Sequence, residues 1–431
     1  MSEDSNKKVG RREFMGTAAA AAGFMIMAPQ LVRGTSANSD LRVGLLGCGG
    51  RGAADATYTV GTGKARLVAL GDLFQDKLDK AKAHFDKLQS KKGIPAIERR
   101  LMFRGPKAYQ EISNSKDVDV VIITTPPYFH AQHLAEVVTA GKHVYCEKPL
   151  SVDPAGCVSV LDSGRRAEGR LSLEVGFQLR NAPPYIEQMK RIQAGALGQI
   201  VAGEGHYYAN WPKLPAWPGV SPDERRIRNW YYSRILSGDI IVEQNIHIID
   251  IMNWTMGARP IVAAASCSHK GRPEKGHVAG HYTVSFKYPN GVSTTFTSIQ
   301  VGNPKWEVGW QFFGTKGTSE AHYTGPVAIY GEQPWKWNGG KSSSQQQGSQ
   351  KFSTAGVFHD NLAMADPDKK MSFVNSILDH KYHNQAAAGV ESTLSAMMAR
   401  HSAYTGREVS YEELATSGER WDDYININQF S

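Results

Sequence analysis

Cysteine is scarce: Cys48, Cys146, Cys157 and Cys267 are the four in a chain of 431 residues. They form no CxxC pair and have no metal-ligand spacing, which argues against a disulfide framework and a zinc site, so all four read as buried thiols. Charge of one sign is also nearly absent. Lys and Arg number 49 against 41 Asp and Glu, a net charge of +8, and no basic run dominates a face, which excludes nucleic acid as the expected partner. The apolar stretch from Thr17 to Pro29 is about thirteen residues, short of the roughly twenty that span a bilayer, so no stable membrane anchor is expected. What is present is a globular composition, 41% apolar and 21% charged. It excludes collagen-like, coiled-coil and wholly disordered chains. The length suits two domains of about 150 residues or more.

The N-terminus reads as an address. Arg11-Arg12 is followed by Phe14, the apolar stretch, then Arg33 and the small residues Thr35-Ser36-Ala37. A charged start, a short apolar middle and a small-residue end are the parts of a secretory signal. The paired arginines resemble the twin-arginine export signal, which carries folded proteins, although Gly10 stands where Ser or Thr is common. The expectation is a signal over 1–37, cleavage near Ala37, and a soluble periplasmic protein that engages the twin-arginine export machinery.

Leu41-Arg-Val-Gly-Leu-Leu46 reads as a buried parallel strand. It runs into Gly47-Cys48-Gly49-Gly50-Arg51-Gly52, a G-x-G-x-x-G match that opens a helix. Such glycines allow a tight turn and bring backbone N–H groups to a pyrophosphate at the positive end of the helix. A second strand, Ala65–Leu70, leads to Asp72, whose carboxylate would accept from ribose hydroxyls and repel a 2′-phosphate. NAD is therefore the expected cofactor, with NADP left open by Lys77 and Lys80. A helix over Gln75–Ser90, a strand over Val118–Ile123 ending at Thr124-Thr-Pro-Pro127, a helix from His130 through Ala140 and a strand over His143–Cys146 ending at Glu147-Lys148-Pro149 follow. Alternating strands and helices predict an α/β fold with a doubly wound parallel sheet. Gly47, Asp72, Thr125-Pro126 and Glu147-Lys148 all fall at the carboxyl ends of its strands, where ligands gather.

These residues resemble the glucose–fructose oxidoreductase, inositol dehydrogenase and rhizopine-catabolism (Gfo/Idh/MocA) family of NAD(P)-dependent oxidoreductases. Further elements that carry the likeness are Gly141–Pro149, Val175-Gly-Phe-Gln178 with Arg180, Gly195–Gly198 and Glu243-Gln-Asn-Ile-His247 with Asp250. The resemblance implies a Rossmann domain over 40–163 and, over 164–431, an α+β domain with an open, mostly antiparallel sheet whose outer face makes homo-oligomer contacts. The pattern agrees: Gly280–Tyr288 alternates, Pro289-Asn-Gly291 marks a hairpin turn, Val292–Ile299 returns and Trp306–Gly314 reads as another strand. Asn338–Gly356 reads as a mobile surface loop, and Leu394, Met397 and Met398 as the core face of a helix over Ala386–Tyr404.

Hydride transfer at a carbinol carbon needs a base for the hydroxyl proton and a donor for the oxygen. By resemblance Lys148 is the oxygen donor, followed by a proline that is often cis, and His247 is the proton-transfer residue. Glu243, His247 and Asp250 stand at i, i+4 and i+7, so one helix would let Glu243 orient the imidazole. The candidate catalytic set is Lys148, His247 and Glu243. Gly47, Gly49, Gly50, Arg51, Gly52, Asp72, Thr125, Pro126, His130, Glu147, Lys148 and Gln178 are the candidate cofactor contacts, with His130 capping its helix. Lys148, Arg180, Tyr231 and His247 are the candidate substrate contacts. Trp230, Tyr231 and Tyr232 suit stacking on sugar rings, though three adjacent aromatics are not expected to face one ligand together. His281 and His322 share no face in the sequence pattern, so no metal is assigned.

The leading expectation is a periplasmic oxidoreductase that moves hydride between a tightly held NAD(P) and a sugar, polyol or glycoside. An NAD-dependent glycosidase or lyase working through transient C3 oxidation is the alternative. The family's hydrolase branch carries a Thr-His-Gly element where this chain has Asn245-Ile246-His247. The third reading is a non-catalytic sugar- or NAD-binding protein.

Overall fold

The computed structural model describes residues 40–210, 214–271, 277–302, 304–339 and 360–431; the signal-like segment 1–37 and most of the 338–356 stretch lie outside the described residues. Six short strands build the first sheet: β1 (Leu41–Leu46), β2 (Ala65–Asp72), β3 (Met102–Arg104), β4 (Val120–Ile123), β5 (His143–Cys146) and β6 (Leu173–Val175). They pair in the order β3-β2-β1-β4-β5-β6, every pair parallel. Strands β4 and β6 bury every residue, because helices cover both faces of such a sheet, and their sequences accordingly do not alternate. The covering helices are α1 (Gly50–Gly61), α2 (Gln75–Ser90), α3 (Ala108–Asn114), α4 (His130–Thr139) and α5 (Pro154–Ala167). Strand order reverses between β1 and β4, so the carboxyl ends of β1, β2, β4 and β5 border one crevice.

The remaining strands form a nine-stranded sheet. They are β7 (Ile200–Tyr208), β8 (Val262–Ser268), β9 (His281–Lys287), β10 (Ser293–Ile299), β11 (Glu307–Gly314), β12 (Gly317–His322), β13 (Val327–Gly331), β14 (Trp335–Lys336) and β15 (Val409–Ser410). The order is β14-β13-β12-β11-β7-β10-β9-β8-β15, antiparallel except for the parallel β7–β10 pair. Asn290 and Gly291 both take positive φ (70° and 78°) and close the β9–β10 hairpin at the expected turn. Its accompanying helices include α6 (Pro183–Gln193), α7 (Pro222–Arg228), α8 (Ile240–Glu243), α9 (Ile246–Met256), α10 (Ala365–Leu378) and α11 (Ala386–Thr405). Helix α9 lies close on β7: a Cβ at Gly205 would stand 2.6 Å from Ile248 Cγ2. Leu394, Met397 and Met398 of α11 are buried as expected. Three cysteines are buried, and Cys267 is half-buried because it sits on β8 near the sheet edge. No helix among the described residues is long and apolar enough to cross a membrane.

Helix α10 doubles back onto α1 and brings a set of charges into the interior. Arg51 pairs with Asp366 (2.8 Å), Glu147 (2.9 Å) and Asp55 (3.2 Å). Lys370 pairs with Asp55 at 2.7 Å and its ammonium lies 3.3 Å from the centre of the Tyr145 ring. Lys369 approaches Asp366 at 3.7 Å. Both lysines are fully buried. Three cations thus face three carboxylates, and only that balance makes their burial tolerable. Asp366→Asn removes one negative partner, leaving three buried cations to two carboxylates and Lys369 without its nearest one. It is expected to cost about 3–5 kcal/mol, read as a lower denaturant midpoint at unchanged slope.

Candidate active site

Two adjoining cavities occupy the crevice. One, of about 160 Å³, is bordered by Gly47, Gly49, Asp72, Pro126 and His133. The other, of about 290 Å³, is bordered by Glu147, Lys148, Gln178, Tyr231, Glu243 and His247. Thr124, Thr125, Arg228 and Trp230 belong to both walls.

The smaller cavity carries the loop features that suit a dinucleotide's pyrophosphate and ribose. Gly47 has φ +95°, and a Cβ there would collide with the Thr124 backbone at 2.6 Å. At Gly52 a Cβ would lie 2.1 Å from the Gly47 carbonyl, so the third glycine lets α1 pack against the loop. Gly49 is different. A Cβ there meets nothing within 4 Å, and no side chain caps α1, which starts at Gly50. The free N–H groups and open space at this helix start suit a pyrophosphate. Asp72 lies at the tip of β2, where its carboxylate accepts from the N–H groups of Cys48 (2.7 Å) and Phe74 (3.0 Å). Burial raises its pKa, while those two hydrogen bonds oppose the shift.

The structure locates several expected contacts differently. Arg51 borders the larger cavity, but its guanidinium is committed to Asp366, Glu147 and Asp55 rather than free for a cofactor phosphate. His130 does not cap α4. Its two ring nitrogens lie against the carbonyls of Pro149 (2.6 Å) and Thr125 (2.7 Å), tying the β4 end to the β5 end. Burial lowers its pKa against the pull of both carbonyls. Thr125 Oγ1 also meets His133 Nδ1 at 3.0 Å, and His133, a wall residue that sequence reasoning missed, is held by burial down to about 3.

Lys148, whose bond to Pro149 is cis, extends its Nζ to the Glu243 carbonyl (2.5 Å) and Glu243 Oε1 (3.1 Å). Glu243 therefore holds Lys148 and not His247. The expected single helix is broken: α8 ends at Glu243 and α9 starts at Ile246, so the spacing of four no longer spans one turn. Asp250 lies on α9 with His247, but its carboxylate grips the Arg180 guanidinium in two bonds (2.8 and 2.9 Å) and accepts from Ser392. Arg180 is thereby withdrawn from the cavity wall it was expected to join, and an ion pair explains it fully. Gln178 does border the cavity.

His247 is buried and its Nδ1 has no hydrogen-bond partner. Burial, then the charge of Lys148, push its pKa well below 6.5, so the imidazole is neutral at ordinary pH. Glu147 behaves oppositely: burial opposes its ionisation, yet Arg51 and then Lys369 and Lys148 hold it at about 2. Trp230, Tyr231 and Tyr232 all border the cavity, where a tight one-turn 3₁₀ helix presents them around its rim. Tyr231 donates to Gln244, which also donates to Tyr207.

Comparison with known proteins agrees with this geometry. Residues 41–175 match the oxidoreductase family with an NAD-binding Rossmann fold (GFO_IDH_MocA), and residues 185–320 match the GFO/IDH/MocA C-terminal domain. The chain belongs to the Gfo/Idh/MocA oxidoreductase family. Inositol 2-dehydrogenase of Salmonella typhimurium is 30% identical over 148 residues, covering 34% of this chain and 38% of that one. The first such relatives are thus matched over little more than a third of their length. Inositol 2-dehydrogenase of Rhizobium meliloti is 25% identical over 295 residues, 67% of this chain and 78% of that one. The fold is also that of aldose–aldose oxidoreductase from Caulobacter crescentus, with TM-score 0.65 and 19% identity over 86% of this chain and 99% of that one.

The family's NAD-binding fold and the open space at Gly49 make one test direct. Gly49→Asp leaves packing intact but sets a negative charge at the helix start. NAD affinity measured by calorimetry is expected to fall at least about tenfold, with the melting temperature unchanged.

Proposed function

We propose that this chain is an NAD-dependent oxidoreductase that transfers hydride between a nicotinamide and a hydroxyl-bearing carbon of a sugar, polyol or glycoside. The observation that carries the reading is the meeting of Lys148, fixed by Glu243, and a neutral His247 in one cavity that adjoins the glycine-loop cavity. NAD, when bound, supplies the hydride acceptor. His247 takes the hydroxyl proton, which a neutral imidazole with an unpartnered ring nitrogen is fit to do. Lys148 donates a hydrogen bond to the substrate oxygen and stabilises negative charge there, in a setting partly closed to water. Glu243 is a positioning residue for Lys148. The rim of Trp230, Tyr231 and Tyr232 offers aromatic faces to the C–H faces of a sugar ring. The relatives' names, inositol 2-dehydrogenase and aldose–aldose oxidoreductase, point to the same substrate class. Asp72 favours NAD over NADP because its carboxylate repels a 2′-phosphate.

We extend the proposal to export of the folded protein through the twin-arginine route with its cofactor in place, and to assembly as a homo-oligomer in the periplasm. Arg11-Arg12 and the short apolar stretch support the first; replacing both arginines by lysine is expected to leave the protein in the cytoplasm, seen by fractionation.

The chemistry is tested with purified protein, its released cofactor identified after denaturation, and a panel of cyclitols, aldoses and glycosides followed by nicotinamide absorbance. His247→Asn is expected to lower kcat by about 10²–10⁴. Because the folded-state pKa of His247 lies below 6.5, the base is active above that pKa, and the acid limb of kcat/KM falls below pH 6.5. Lys148→Met is expected to lower kcat by about 10²–10³ while NAD stays bound. Full turnover in either variant overturns the assignment.

A further inference from the structure

A second constellation lies on the large sheet, and none of its residues borders either cavity. His206 on β7, Glu307 on β11 and His322 on β12 come from three adjacent strands. Register explains how they meet. Gly309 pairs with His206 on one side and with His322 on the other, so two imidazoles flank a position without a side chain. Glu307 lies two residues along the same strand and hence on the same face. A Cβ at Gly309 would stand 2.8 Å from His322 Nδ1, so the hollow between the imidazoles depends on that glycine.

The donor atoms converge. Glu307 Oε1 lies 2.7 Å from His322 Nδ1 and 3.4 Å from His206 Nε2, and one ligand atom from each of the three residues falls within 4.8 Å of the others. The far nitrogen of His322 meets Glu320 Oε1 at 2.8 Å, and Tyr330 donates to the other oxygen of Glu320 at 2.9 Å. A carboxylate on the outer nitrogen holds a proton there and orients the ring so that Nδ1 is the nitrogen a cation would take, the arrangement typical of metal-bound histidine. No Lys or Arg among the described residues pairs with Glu307 or Glu320, so two carboxylates are there to neutralise a dication.

We propose that His206, Glu307 and His322 bind one divalent transition-metal ion, of the zinc class, which clips β7, β11 and β12 together. Two imidazole nitrogens and one carboxylate oxygen are a donor set that suits this class, and three protein ligands leave a position for water. When the ion enters, the Nδ1 proton that His322 shares with Glu307 leaves to solvent. The site stands apart from the proposed hydride-transfer chemistry, so its failure and the failure of that chemistry are separable.

The test uses the full purified chain, stripped with chelator, then dialysed against zinc and measured for metal by mass spectrometry, with calorimetric titration of zinc and visible spectra of the cobalt(II) form. The expected result is one zinc per chain and the absorption of four-coordinate cobalt. His206→Asn with His322→Asn is expected to abolish stoichiometric binding, and Glu320→Gln to weaken it about 10–100-fold. His281→Asn, on the same sheet but outside the cluster, leaves it unchanged, and retained NAD binding shows that each variant is folded. No zinc uptake by the wild type, or uptake that the double variant retains, overturns the proposal and leaves His322 as an imidazolium held between two carboxylates.

Discussion

The buried charge cluster around Arg51 is the constraint on which the site rests. It joins the cofactor loop, the end of β5 and a helix that arrives 315 residues later in the chain. Each ion is expensive to bury, and none is tolerable without the others. Glu147 carries the constraint forward: its carboxylate accepts from Arg51, from the Tyr145 hydroxyl and from the backbone N–H of Lys148. Gly176 must be glycine beside it, since a Cβ would come within 2.4 Å of that carboxyl carbon. The peptide that bears Lys148 is therefore set by the electrostatics of the buried cluster beside it.

From there the site is assembled by interruption rather than by continuity. The chain leaves α8 at Glu243 and starts α9 at Ile246. The break frees the Glu243 carbonyl as well as its carboxylate for the Lys148 ammonium, which a continuous helix would have left bonded within itself. The same break releases His247 from any carboxylate partner, so burial and the neighbouring cation keep it neutral. The proposed chemistry rests on this pair: a lysine side chain positioned by Glu243 and an imidazole held neutral by its surroundings.

Much of this was legible in the residues. Buried parallel strands have no alternation, so β1 and β5 were found with their observed bounds, and each strand-end motif fell where the crevice opens. Three kinds of feature were not legible. Asn245 interrupts a helix without any proline or glycine to announce it. Arg180 and Asp250 are paired at short range in space but 70 residues apart, which hid an ion pair behind a candidate substrate contact. His206, Glu307 and His322 depend on cross-strand register, and so do Lys369 and Lys370 on a helix that returns to a distant sheet; neither arrangement leaves a periodic trace in the sequence.

The central claim is that Lys148 and His247 serve hydride transfer to bound NAD. The most direct measurement is the mass of the cofactor released after the protein meets sugars and cyclitols carrying deuterium on their carbinol carbons. The account predicts that wild-type protein yields reduced cofactor bearing one deuterium from at least one of them, and that Lys148→Met, with NAD still bound, yields almost none. NAD bound at full occupancy that never acquires deuterium from any member of the panel would contradict it and mark the chain as a binding protein.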